Sequence, residues 1–257
     1  MNILIVGSNG FIGKNLYTQL KLQKKKIFSI TKKTSKKDFQ LKMNKADFIF
    51  HLAGSNREKN KKNFQKNNVD LTRKICDHLK HTKKKVKIVY SSTIHINKEN
   101  IYGKTKKKSE ELLKKIKNKN IKVIILRLPN VFGKWSKPNY NSAIATFCHK
   151  ISRGEKIELK LNKKITLYYV DDLVNYLINL LKVDFISYKI ITKFNNLKKT
   201  NLKSILKILN YFKNLSSAEL PNNISDNFVK KLYSTFIYFS PRNILNSALK
   251  KNKDERG

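Results

Sequence analysis

Five short apolar runs, separated by amphipathic stretches, occupy the first half of the chain. The pattern is that of strands alternating with helices. Ile3 to Val6 is the first run, and Lys14 to Leu22 follows it with helical spacing. Lys26 to Thr31 and Asp47 to Ala53 read as the second and third strands. Asn68 to Leu79 places Val69, Leu71, Ile75, Cys76 and Leu79 on or near one helical face. Val86 to Tyr90 is a fourth strand, Tyr102 to Ile116 a helix and Val123 to Leu128 a fifth strand. Near-continuous apolar strands with helices between them predict a parallel sheet covered on both faces, and right-handed crossovers make it doubly wound. After Pro129 the pattern changes. A loop rich in Pro, Asn and Tyr leads to a helix at Ser142 to Arg153, an extended stretch at Leu159 to Val170 and a helix at Asp171 to Leu181. Two more helices are expected at Leu202 to Phe212 and Asp226 to Tyr238, and the stretch from Pro241 to Gly257 is polar with no strong element.

Two motifs carry chemistry. Gly7-Ser8-Asn9-Gly10-Phe11-Ile12-Gly13 comes directly after the first strand and before a helix. Glycines there permit a tight turn and a close backbone approach, and the helix N-terminus presents free N–H groups to a pyrophosphate. The spacing is G-x-x-G-x-x-G, and its placement makes it a dinucleotide signal. Gly7, Asn9, Gly10, Phe11, Ile12 and Gly13 are therefore expected at a cofactor. At the end of the second strand, where an NAD site usually offers a carboxylate to the ribose, the sequence is Thr31-Lys32-Lys33-Thr34. Lys32 there favours a 2′-phosphate, hence NADP(H) over NAD(H).

The second motif is Tyr102-x-x-x-Lys106, which puts both side chains on one helical face. The lysine cation is expected to lower the phenol pKa from about 10, so that the tyrosine can pass a proton to a carbonyl oxygen as hydride reaches carbon. Ser91-Ser92-Thr93 lies upstream at the end of the fourth strand, where a hydroxyl can hold the same oxygen.

With these pieces in order, the chain resembles the extended short-chain dehydrogenase/reductases, the NAD-dependent epimerase/dehydratase family, over roughly residues 1–180. Further matching pieces are His51-Leu52-Ala53-Gly54, Asn68-Val69-Asp70-Leu71-Thr72, Arg127-Leu128-Pro129-Asn130-Val131-Phe132-Gly133 and Tyr169-Val170-Asp171-Asp172. The resemblance implies a Rossmann-like fold with a small C-terminal substrate subdomain. It implies Thr93, Tyr102 and Lys106 as the catalytic set, Leu52, Ala53 and Gly54 along the cofactor, and Asn130 toward a sugar nucleotide. The stretch from Gly133-Lys134-Trp135 through Tyr140 to His149, and Lys231 to Thr235, are similar to the bifunctional 3-epimerase/4-reductases of bacterial capsule synthesis, on the UDP-N-acetyl-L-fucosamine route. Those enzymes join an NADPH-using reductase to a zinc-binding cupin that performs the epimerisation. The resemblance implies a UDP-sugar substrate, with Trp135 and Tyr140 stacking on the uracil or flanking the sugar.

The chain ends where the cupin is expected to begin, and His51, His78, His81, His95 and His149 all fall within the reductase part. No zinc is expected. Either a separately encoded chain supplies the epimerase, or the sequence is a reductase-only form or a truncated product. A homodimer is expected by analogy. The expected boundaries are 1–170 for the cofactor-binding domain, with 130–160 reaching the substrate cleft, 171–240 for the helical subdomain and 241–257 for a polar tail. A 4-epimerase or dehydratase is the rival reading. Dehydratases of the group carry an Asp-Glu pair after the threonine, whereas Thr93 here precedes Ile94-His95. A non-catalytic NADP- or nucleic-acid-binding protein is the rival of another class.

Composition adds bounds. Apolar residues make up 40 % of 257, too many for a disordered chain. No run is long enough to span a bilayer, so membrane insertion is not expected. Cys76 and Cys148 give no disulfide framework. The N-terminus enters a strand without a signal-peptide pattern, which points to the cytoplasm. Lys and Arg total 57 against 17 acidic residues, a net charge of +40. Only six of the 57 are arginine and the lysines are spread along the whole chain. Nucleic-acid readers favour arginine forks, so the charge reads as AT-rich compositional drift and nucleic acid is not the expected partner.

Overall fold

The computed structural model describes residues 1–58, 60–140, 142–159, 162–184, 187–215 and 220–241. The described residues form two units, Met1–Pro129 with Asp171–Asn195, and Asn130–Val170 with the described part of Asn196–Gly257.

The first unit is a six-stranded sheet. Its strands are β1 (Ile3–Val6), β2 (Ile27–Ile30), β3 (Phe48–His51), β4 (Val86–Thr93), β5 (Ile121–Leu128) and, counting past two strands of the other unit, β8 (Tyr188–Ile191). The order is β2-β1-β3-β4-β5-β8 and every pairing is parallel. This is the Rossmann-like doubly wound α/β fold. The apolar strands are buried because helices cover them: Ile3 to Val6 and Phe48 to His51 have no exposed residue. Leu4, Val6, Ile49, Ile88, Tyr90, Val123 and Ile125 meet Ile75, Cys76, Leu79, Leu113 and Ile116 from the helices in one core. Each such aliphatic side chain contributes about 1.5–3 kcal/mol by leaving water.

The chain runs outward from β1 to β2 and then crosses back to β3. The strand order thus reverses between β1 and β3, and the crevice at their carboxyl ends is where ligands bind in such sheets. Helix α1 (Phe11–Leu22), with Gly10 as its N-cap, starts three residues before the spacing placed it. Gly7 has φ +93° and packs on the Ala53 backbone, where a Cβ would come within 2.7 Å. A Cβ on Gly13 would stand 2.1 Å from the Gly7 carbonyl oxygen. The first turn of α1 is thereby pressed against the loop.

Other departures from the sequence reading are local. Helix α2 (Lys36–Lys45) was not expected, because only Phe39 and Met43 in it are buried. Ser35 caps it by accepting from the Asp38 N–H. A short α3 (Lys61–Phe64) runs into a π-helical turn at Gln65–Asp70, and α4 (Leu71–Lys80) begins only after it. The expected helix from Asn68 therefore has a wider first turn. Helix α5 (Ile101–Ile116) is as expected apart from one residue at its start.

The second unit has a three-stranded sheet, β6 (Asn130–Phe132), β7 (Lys164–Tyr169) and β9 (Lys198–Asn201) in the order β6-β7-β9. Helices α6 (Ala143–Ile151), α8 (Leu202–Asn214) and α9 (Asn227–Phe239) enclose its core of Phe132, Phe147, Cys148, Leu167, Leu209, Phe212, Leu232 and Phe236. Helix α7 (Val170–Leu180) lies between the segments, almost wholly within the first unit. The division shares the expected boundary at 170 but assembles the two units from different segments. β6 and β7 pair with each other and with β9, which draws 130–170 to the second unit. β8 pairs with β5, which keeps 171–195 in the first. The polar tail beyond Pro241 lies outside the described residues. Among the described residues no helix is long and apolar enough to cross a membrane.

The glycine contacts rank two substitutions. Gly13→Ala is expected to lower the unfolding free energy by about 3 kcal/mol in urea titration, because its methyl would drive into the Gly7 carbonyl. Gly10→Ala, with 3.2 Å to the same oxygen, is expected to cost about 1 kcal/mol or less.

Candidate functional site

The carboxyl ends of β1, β3 and β4 and the start of α5 supply the site of the first unit. β4 is eight residues long and carries Ser91, Ser92 and Thr93 to its end, all buried. Asn100 caps α5 by accepting from the Gly103 N–H at 2.8 Å. Gly103 packs so closely on the loop after β4 that a Cβ would lie 2.7 Å from the His95 carbonyl oxygen. This closeness brings Tyr102 to Thr93, whose side chain is its hydrogen-bond partner. Thr93 Oγ1 also accepts from the His95 N–H at 3.1 Å.

Lys106 lies one turn on from Tyr102 and is buried. Its Nζ donates to the Ser91 carbonyl at 2.8 Å and stands 4.7 Å from the Tyr90 ring centroid and 6.0 Å from that of Tyr102. Gly54 leaves room for it, since a Cβ there would come within 2.9 Å of Nζ. Desolvation lowers the Lys106 pKa to about 7, opposed by the charge of Glu110. Burial pushes Tyr102 up to about 12, with Thr93 pulling the other way. The lysine was expected to lower the phenol. In this geometry desolvation dominates, with Thr93 as the opposing influence, and Tyr102 holds its proton.

A second layer fixes these groups. Asn68, on the π turn, accepts from the Ser55 N–H at 2.7 Å and donates to the Ser55 carbonyl and to Thr105 Oγ1, both at 3.0 Å. Its own carbonyl receives the Thr72 hydroxyl at 2.6 Å and the Ser109 hydroxyl at 3.0 Å. Thr72 has thus given away its one hydrogen, so His51 Nε2, 2.9 Å from Thr72 Oγ1, is the donor of that pair. Burial and the charge of Lys106 hold His51 near a pKa of about 3, and it is neutral. Glu110, one turn beyond Lys106, receives the Ser92 hydroxyl and a two-pronged contact from Arg127, with Nη2 to Oε2 at 2.8 Å. The motif reading did not single out Asn68, Glu110 or Arg127 as functional. The i, i+4, i+8 spacing of Tyr102, Lys106 and Glu110 on one helix was the available signal.

The glycine turn stands at the same edge. Gly10 is the N-cap of α1, and no side chain caps the helix there. The Leu52 N–H donates to the Val6 carbonyl at 3.0 Å, which sets Leu52, Ala53 and Gly54 beside Gly7. Lys32 is exposed in a turn that Thr34 closes by accepting from the Thr31 N–H at 2.9 Å. The sequence shows no carboxylate at this strand end, but the fold brings Glu58 close enough for Lys32 to act on its charge. Glu58 accepts from Asn67 Nδ2 at 2.6 Å.

Asn130, Trp135 and Tyr140 belong to the second unit. Asn130 Nδ2 donates to the Thr166 carbonyl at 3.3 Å. Trp135 is left-handed at φ +66° with Lys134 Nζ 5.9 Å from its ring, and Tyr140 is exposed with Lys137 Nζ at 6.0 Å. Cys148 is a buried core residue whose thiol is pushed up by desolvation. Among the described residues no three His, Cys, Asp or Glu side chains gather as metal ligands would.

Comparison with known proteins gives concordant results. A reductase of Pseudomonas aeruginosa named UDP-2-acetamido-2,6-beta-L-arabino-hexul-4-ose reductase is 32 % identical over 260 residues, covering all of this chain and 70 % of its own length. The crystal structure of the capsular polysaccharide assembling protein CapF from Staphylococcus aureus superposes with a TM-score of 0.81 at 36 % identity over 95 % of this chain. The chain spans 66 % of that structure, less than two thirds of its length. A UDP-glucuronic acid 4-epimerase from Bacillus cereus, solved with UDP-glucuronic acid and NAD, shares the fold with a TM-score of 0.76 at 16 % identity, over 93 % of this chain and 99 % of its own. The model of the NAD dependent epimerase/dehydratase family matches residues 3–189. The parallel sheet, the glycine turn and this match agree, and the chain belongs to the NAD dependent epimerase/dehydratase family.

Proposed function

We propose that this chain is an NADPH-dependent reductase that converts the C4 ketone of a UDP-linked 4-keto-6-deoxy-N-acetylhexosamine to an alcohol. The observation that carries the reading is the convergence of Thr93, Tyr102 and Lys106 at the carboxyl end of β4, one strand from where the strand order reverses. The name of the Pseudomonas aeruginosa relative and the capsule assembly role of the Staphylococcus aureus one support it.

The residues present fit a dinucleotide. Gly7, Gly10 and Gly13 form a turn that side chains would fill, and Gly54 leaves the Lys106 ammonium uncovered by a side chain at that point. Gly7, Asn9, Gly10, Phe11, Ile12 and Gly13 would hold the pyrophosphate at the α1 N-terminus, with Leu52, Ala53 and Gly54 along the ribose and nicotinamide. When bound, NADPH supplies a hydride. Lys32 would meet the 2′-phosphate, and NADP(H) is preferred to NAD(H) on that account.

The protein's own part is the proton. Tyr102 stays protonated across the neutral range and gives its proton to the carbonyl oxygen as C4 accepts hydride. The phenolate left behind would face the Lys106 ammonium, which would also hold the nicotinamide ribose. Thr93 hydrogen-bonds the same carbonyl oxygen. Asn130, Trp135 and Tyr140 would receive the UDP-sugar. In this reading the reductase works in the cytoplasm as a homodimer, on a ketone whose C3 configuration a cupin epimerase sets. An elimination reaction would need an acid and a base after Thr93, where this chain has Ile94-His95.

Incubation with NADPH and a UDP-4-keto-6-deoxy-N-acetylhexosamine is expected to bleach the reduced nicotinamide band with one alcohol formed per NADPH. No bleaching, with or without an added cupin epimerase, would overturn the reading. Tyr102→Phe is expected to lower kcat by about 10²–10⁴-fold while NADPH affinity, read by fluorescence titration, changes little. Lys32→Glu is expected to weaken NADPH binding by about tenfold or more and to leave NADH binding nearly unchanged, since a cation facing a phosphate becomes a like charge.

A further inference from the structure

We infer that Glu110 is a positioning residue of this site, which keeps the Lys106 ammonium charged and in register with Thr93, and that Arg127 sets how much of its charge Lys106 receives. The inference rests on the reading of Lys106 as the cation of the reductase site. Glu110 follows Lys106 by four residues on α5 and is buried. Its carboxylate is divided between two strands: Ser92 of β4 donates to Oε1, and Arg127 of β5 grips both oxygens. Ser92 and Arg127 are register partners across β4 and β5, so the carboxylate ties the helix to one rung of the sheet. That rung lies between Ser91, whose carbonyl holds Lys106 Nζ, and Thr93, which meets Tyr102. Any slip of α5 along β4 would break the Ser92 contact together with both of those.

Among the described residues the surroundings leave Glu110 as the anion in Lys106's vicinity. From β4 the Tyr90 ring and the Ser91 carbonyl face the ammonium, and Tyr90 stays a neutral phenol because burial raises its pKa. From β3 comes neutral His51, which feels the lysine's charge. Gly54 and the Asn68 amide close the side toward the π turn, and Tyr102 lies one turn back on α5. From β5 and β8, Arg127 and Tyr188 reach Glu110 rather than Lys106. One carboxylate thus serves two cations. Desolvation alone would drive Lys106 to the neutral amine, and the charge of Glu110 opposes it.

The test compares the wild-type protein with Glu110→Gln, Glu110→Asp and Arg127→Gln. The readouts are kcat/KM for NADPH against pH and a ¹³Cε NMR titration of Lys106, assigned by its loss in Lys106→Met. The ammonium is present below its pKa and lost above it, so it governs the alkaline limb of the free-enzyme profile. Glu110→Gln keeps the shape and removes the charge. The limb is expected to move down by about one pH unit, a loss of about tenfold above the limb with little change below it. Arg127→Gln frees the carboxylate, and the limb is expected to move up. Glu110→Asp keeps the charge, and the limb stays at the wild-type position even where its shorter reach lowers the rate. A purely structural role would depress all three profiles at every pH without moving the limb. That result, or a shift of Glu110→Gln and Arg127→Gln in the same direction, overturns the inference. The NMR titration needs no sugar and no cofactor, so it decides the matter even where no ketosugar is reduced.

Discussion

Taking an ammonium group out of water costs several kcal/mol unless fixed dipoles and charges replace its hydration. Lys106 has made that transfer. Its Nζ is held by the Ser91 carbonyl, by two aromatic faces and by the field of Glu110. Much of the local architecture follows from this demand. Gly54 leaves Nζ uncrowded, since a Cβ there would come within 2.9 Å of it. β4 has to run through to Thr93 so that the Ser91 carbonyl, the Ser92 hydroxyl and the Thr93 hydroxyl line up in successive positions. Asn68 has to bind Ser55 on one side and Thr105 on the other, so that the loop after β3 and helix α5 stay together.

The same demand separates the roles of the two titratable groups on α5. Burial raises the phenol and lowers the ammonium, to about 12 and about 7. The phenol therefore stays a proton reservoir at neutral pH, and the ammonium is poised so that a nearby charge decides its state. A site arranged in this way suits proton delivery to a carbonyl oxygen in a water-poor crevice.

The sequence made the centre of the site legible because its spacing is local. The glycines after β1, Tyr102 with Lys106 four residues on, and Ser91-Ser92-Thr93 at a strand end are all readable in short windows. The parallel sheet was legible from its apolar runs. The rest depended on pairing between distant segments. α2 escaped notice because only two apolar residues in ten face the core. β6, β8 and β9 are three or four residues long and exist through their partners, so the grouping of 130–170 and of 171–195 follows from pairing that short windows do not show. The Glu110–Arg127 contact spans 17 residues and forms only once β4 and β5 lie side by side. The phenol's rise was hidden for the same reason, since desolvation belongs to the folded surroundings and the i, i+4 lysine was the one influence visible in the sequence.

The central proposal is that the hydride on the sugar C4 comes from the nicotinamide and not from solvent. NADPH deuterated at the transferable position of the nicotinamide C4, incubated with the UDP-4-keto sugar and followed by NMR of the product, tests it most directly. The account predicts one deuterium at sugar C4 per molecule of alcohol, and no deuterium there when the label is carried by the solvent. Product lacking deuterium at C4, or carrying solvent deuterium at that carbon, would contradict it.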